Sequence, residues 1–138
     1  MTYRIVQWTT GHVGRDAVKG IVRHPELELV GCYAYSEEKE GVDVGELCGI
    51  EPLGVRATRD VDALLALEPD CVCYTPNQVD PVELERLLRA GVSVACSYFM
   101  NGRMLGKDVQ ARLEAAGQAG NASLFGAGIF PGFANFIA

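Results

Sequence analysis

The chain has 138 residues, 49% of them hydrophobic and 22% charged, which suits one folded domain with a packed core and a wet surface. A net charge of -6 argues against a nucleic-acid backbone as partner, which would call for a clustered basic face. No apolar run approaches the roughly 20 residues of a membrane helix, and the first residues lack the flank and apolar core of a signal peptide, so a soluble, cytoplasmic protein without a membrane partner is expected.

In chain order, Arg4 to Trp8 reads as a strand, Arg15 to Arg23 as a helix and Glu28 to Tyr35 as a second strand, a βαβ unit. Glu37 to Pro52 is acidic and glycine-containing with little apolar periodicity, and is expected to be a surface loop. Asp60 caps a helical stretch whose apolar face is Val61, Leu64, Leu65 and Leu67, and the strand Cys71 to Thr75 follows. Asp80 and Pro81 open another helix, with Val82, Leu84, Leu87 and Leu88 at helical spacing up to Gly91. Val92 to Ser97 is a strand, Lys107 to Ala119 a polar amphipathic helix, and Ser123 to Phe125 a short apolar piece before Gly126. This βα rhythm predicts an α/β fold, a Rossmann-like doubly wound parallel sheet with helices on both faces.

Cys32, Cys48, Cys71, Cys73 and Cys96 are an odd set, four of them in or beside strand-like runs, and read as reduced core thiols. No second pair follows Cys71 and Cys73 at zinc spacing, so no metal site is expected. His24, before Pro25 at a helix end, reads as a capping residue.

The strongest local signal is the turn Thr9-Thr10-Gly11-His12-Val13-Gly14-Arg15 after the first strand. Gly11 and Gly14 occupy the second and third positions of a G-x-G-x-x-G pattern, with Thr9 in the first. Gly11 would admit a pyrophosphate against the backbone, Gly14 would let helix and strand approach, and the helix N-terminus would offer N–H groups to phosphate. After the second strand, Ser36 and Lys39 are candidates for a 2′-phosphate, with Arg15 in support. These residues favour NADP slightly over NAD, though Glu37 and Glu38 follow the same strand and Lys39 equally suits a solvated loop. Thr75, Pro76 and Asn77 end the fourth strand at the carboxyl edge of the sheet, where ligands of open α/β folds bind. No glycine-bracketed serine and no Gly-Lys-Ser/Thr loop supports hydrolase or phosphoryl-transfer chemistry.

With these residues in place, the chain resembles the N-terminal domain of dihydrodipicolinate reductase-like proteins, and more closely their 2,4-diaminopentanoate dehydrogenase and native amine dehydrogenase relatives. The resemblance rests on Trp8 to Gly14, on Gly41-Val42-Asp43-Val44-Gly45-Glu46-Leu47-Cys48-Gly49, on Tyr74-Thr75-Pro76 and on Gly126 to Phe133. It implies hydride transfer at nicotinamide C4 to or from an imine, amine or carbonyl carbon of a small-molecule substrate. It also implies a second α+β domain, so that residues 1–138 form the dinucleotide-binding domain of a longer, homo-oligomeric enzyme. The apolar end Phe130 to Ala138 would then be a liability or an oligomer contact. Amine dehydrogenases of this kind place an acid after the fifth strand, where this chain has Ser97-Tyr98-Phe99-Met100-Asn101, and no catalytic residue is assigned. A non-catalytic dinucleotide-binding redox sensor or regulatory module is the alternative.

Overall fold

Ile5, Val6, Gln7 and Trp8 are all buried, the mark of a central strand covered on both faces. In this computed structural model, which describes residues 2–97 and 106–126, they belong to β1, Tyr3–Trp8. Expectations for Tyr98 to Asn101 and for Ala127 to Ala138 lie outside the described residues. The chain divides into two compact units, Met1–Pro76 and Asn77–Ala138.

In the first unit β1 pairs in parallel with β2, Leu27–Tyr33, and with β4, Cys71–Tyr74, while β2 pairs with β3, Ala57–Thr58. Helix α1, His12–Arg23, connects β1 to β2, and α3, Val61–Leu65, connects β3 to β4. Two adjacent residues of β2 show which helix covers which face, because neighbouring side chains of a strand point to opposite sides. A Cβ on Gly31 would stand 2.7 Å from Leu64 of α3, whereas Cys32 is buried in one cluster with Val18 of α1. The unit is therefore wound on both faces, and its crossovers join parallel strands through helices.

Helix α1 starts at His12, not at Arg15, because Gly11 takes the N-cap position directly after the turn. Asp60 caps α3 as the sequence suggests, its carboxylate accepting from the Ala63 amide at 3.1 Å. His24 is the C-cap of α1, and its Nδ1 accepts from the Glu26 amide at 3.1 Å.

The segment from Glu37 to Pro52 corrects the expectation of a plain surface loop. It contains the short helix α2, Val44–Leu47, and buries Val44 and Cys48 against Val18, Cys32, Ala34 and Ala57. One carboxylate organises it. Asp43 Oδ1 accepts from the amides of Gly45 (2.7 Å) and Leu53 (2.9 Å), and Oδ2 from that of Gly54 (2.8 Å). These bonds, the one from Leu53 foremost, hold the Asp43 carboxyl below the usual carboxylate range. Gly45 has no alternative, since a Cβ there would drive into the carbonyl oxygen of Glu51.

In the second unit α4, Pro81–Arg89, is capped by Asp80, which accepts from the Val82 amide at 2.9 Å, and buries Leu84, Leu87 and Leu88. It packs on β5, Ser93–Cys96, and on α5, Lys107–Gly120. Glu85 joins the two helices, accepting from Arg112 at 2.6 Å and Arg89 at 3.2 Å, and these guanidinium groups lower its carboxyl pKa. Strand β6, Leu124–Gly126, pairs in parallel with β5.

Cys32, Cys48 and Cys96 are buried, Cys71 and Cys73 half-buried, and no disulfide joins any of the five. Among the described residues no helix is long and apolar enough to cross a membrane.

Candidate dinucleotide site

The turn between β1 and α1 lies at the carboxyl end of the central strand. Its first residue, Thr9, has φ 75°, a left-handed conformation. Such a conformation costs a β-branched residue about 1–2 kcal/mol relative to glycine. Here the pattern departs from its fingerprint in composition, yet position 9 takes a conformation that glycine adopts without strain.

Several contacts hold that backbone. The Thr9 amide donates to the carbonyl of Tyr33 at 2.9 Å, anchoring the turn to the end of β2. The Thr9 carbonyl oxygen turns inward, where the side-chain amide of Gln7 donates to it at 2.9 Å. Gly14, buried in the first turn of α1, sits on the same oxygen, and its Cβ position would fall within contact of that oxygen and 3.0 Å from the carbonyl carbon.

Gly11 behaves differently. It is exposed, and a Cβ there would meet nothing within 4 Å. Beside it α1 presents an N-terminus with no side-chain cap and no acidic residue in its first turn. Amide hydrogens and a positive dipole end are thereby left open to an anion. His12 and Val13 are both exposed there, Val13 at 57%.

Two cations attend the turn through Thr10, which is 1% exposed. Lys39 Nζ donates to its hydroxyl at 3.2 Å, and Arg15 Nε donates to its carbonyl oxygen at 3.2 Å. The segment after β2 thus delivers Lys39 to the turn after β1. Ser36 does not join them in this way, since its hydroxyl accepts from the Glu38 amide at 3.2 Å within its own turn. Glu37 pairs with Arg59 at 3.1 Å.

Thr75, just past β4, reaches the turn through Gln7, whose Nε2 lies 2.8 Å from its hydroxyl. Pro76 beside it is buried, two residues past the end of β4. Asn77 is exposed and opens the second unit. The sequence reading missed Gln7 and Asp43. The available signals were a polar residue within the apolar run of β1, and an aspartate three positions before Glu46, the spacing of a capping box.

Open space at Gly11, a helix N-terminus without a side-chain cap and two cations bonded to Thr10 form a cradle at the carboxyl edge of a parallel sheet. The phosphate groups of a nicotinamide dinucleotide fit this donor set in charge and in kind. Fold and turn together define a Rossmann-type α/β domain. Comparison with known proteins narrows this: residues 5–95 match the family described as dihydrodipicolinate reductase, N-terminus, and the chain belongs to that family. An amine dehydrogenase from Streptomyces virginiae is 36% identical over 141 residues, covering 96% of this chain and 39% of that protein. A 4-hydroxy-tetrahydrodipicolinate reductase from Synechococcus elongatus is 38% identical over 63 residues, covering 46% of this chain and 23% of its own length. The solved amine dehydrogenase of Mycobacterium smegmatis superposes with a TM-score of 0.79 at 26% identity, over 92% of this chain and 39% of that one. The chain therefore spans well under half the length of these relatives.

Proposed function

We propose that this chain is the dinucleotide-binding domain of an NAD(P)-dependent oxidoreductase, the N-terminal part of a longer two-domain enzyme that acts on a small molecule. The observation that carries this reading is the convergence of Lys39 and Arg15 on Thr10, beside the open face of Gly11 and the bare N-terminus of α1. Thr10 to Gly14 bind the pyrophosphate through the backbone amides the turn leaves open, while Thr9 and Arg15 frame it with their own amides bonded to the carbonyls of Tyr33 and Gly11. Gly11 supplies room for it, and Gly14 keeps the helix end close. Lys39, supported by Arg15 and Ser36, neutralises a 2′-phosphate, which makes NADP the preferred form. The ion pair of Glu37 with Arg59 favours this choice, because it engages the first acid after β2 that would otherwise be available to a ribose hydroxyl. Thr75 and Pro76 border the nicotinamide end.

The bound cofactor supplies hydride exchange at nicotinamide C4 with an imine, amine or carbonyl carbon, and the protein contributes position and electrostatics. The names of the similar enzymes support this class of chemistry. Calorimetric titration with NADPH and NADH in parallel tests the reading. Binding of both, NADPH tighter, is expected; a folded sample that binds neither would overturn it.

A further inference from the structure

A threonine at φ 75° needs support that its own side chain does not give. The group placed to give it is Gln7, which is fully buried in β1. Its Nε2 donates to the Thr9 carbonyl at 2.9 Å and to the Thr75 hydroxyl at 2.8 Å, with a longer contact of 3.3 Å to the Trp8 carbonyl. The Thr75 hydroxyl donates to the Trp8 carbonyl at 3.1 Å and so has only a lone pair to offer Gln7. This arrangement sets the orientation of the amide, because reversing it would press Oε1 against the Thr9 carbonyl oxygen.

In the observed orientation Oε1 is buried with no hydrogen-bond partner among the described residues. An unpaired buried acceptor is a cost that an apolar residue of similar size would avoid. What Gln7 contributes is therefore the donation from its nitrogen.

We infer that Gln7 is a positioning residue that does the work of the absent first glycine. Its amide holds Thr9 in the left-handed form and ties the turn to Thr75, so the cradle keeps its shape without a glycine at position 9. The effect on cofactor affinity rests on the dinucleotide reading above; the effect on the turn does not.

The test is a double-mutant cycle in the full chain, with wild type, Gln7→Met, Thr9→Gly and the double variant, each read by thermal unfolding without ligand and by NADPH titration. Glycine adopts the left-handed form without strain, so it should make the Gln7 amide dispensable. Gln7→Met is expected to weaken NADPH about tenfold when Thr9 is present and less than twofold in the Thr9→Gly background, the loss of roughly one hydrogen bond in the first case. Likewise, it should lower Tm by several degrees more with Thr9 than with Gly at that position. A chain that folds only when Thr9→Gly accompanies Gln7→Met would be the same coupling in extreme form. Equal losses in both backgrounds, or failure of both Gln7→Met chains to fold, would mean that Gln7 acts through packing alone and would overturn the inference. If the Tm coupling holds but wild type binds no dinucleotide, the role of Gln7 in the turn stands and the dinucleotide reading falls.

Discussion

Gly14 and Thr9 are in backbone contact: the Cα of Gly14 lies so close to the Thr9 carbonyl that no Cβ fits between them. Gly11, three residues earlier, faces open space. Two glycines of one motif thus have opposite reasons to be glycine, and substitution separates them.

Gly14→Ala should destabilise the fold by about 1–3 kcal/mol through overpacking against a backbone that cannot rotate away. Gly11→Ala should cost no more than about 1 kcal/mol in stability, the penalty of a poorer N-cap residue. Gly11→Val, bulkier still, should abolish dinucleotide binding while the fold survives. Thermal melts beside calorimetric titrations read both effects; a reversed ranking would sink the assignment of Gly11 to the phosphate face.

Lys39 is delivered to Thr10 by the segment after β2. Lys39→Ala is expected to weaken NADPH more than NADH, by about 1–2 kcal/mol if one charge-assisted hydrogen bond is lost. Parallel titrations give the ratio directly, and equal losses for the two cofactors would move the 2′-phosphate elsewhere.

The Asp43 carboxyl titrates below its ordinary value because backbone amides, that of Leu53 first, hydrogen-bond its charged form. A depressed pKa means that the folded state binds fewer protons than the unfolded state over that window. The carboxylate's contribution is therefore fully present above the unfolded value of about 4, and is lost as pH falls through the folded one. Asp43→Asn should lower Tm at pH 7 and flatten its fall between about pH 5 and 2. A variant with the acid sensitivity of wild type would show that this carboxylate does not hold the segment.

Burial, with the charge of Cys48 adding to it, pushes the Cys32 thiol up to about 12. Alkylation proceeds through the thiolate. Cys32 should therefore resist iodoacetamide at pH 8 in the native chain and react promptly in denaturant. Peptide mapping of the labelled protein distinguishes this from the opposite result, native labelling at Cys32, which would place that thiol within reach of solvent.

The alternation of strands and helices was legible because its signals are local. Apolar spacing marks α4 through Leu84, Leu87 and Leu88, and Asp60 and Asp80 cap the helices that immediately follow them. The turn after β1 was legible for the same reason, as a glycine-bearing stretch between a strand and a helix. Strand and helix ends were less so: α1 begins at His12 because Gly11 caps it, and β2 ends at Tyr33.

By itself, then, the sequence determined the α/β class, the order of elements and the place of the turn, since periodicity, caps and glycines act over a few residues. Only the tertiary structure decided how the turn is held and what the segment after β2 is for. Gln7 reaches Thr75 across 68 positions, and Lys39 reaches Thr10 across 29. Asp43 gathers amides from Leu53 and Gly54, 10 and 11 residues on. Such bonds leave no period in the chain, because a single polar side chain satisfying distant backbone groups depends on where the fold has carried them.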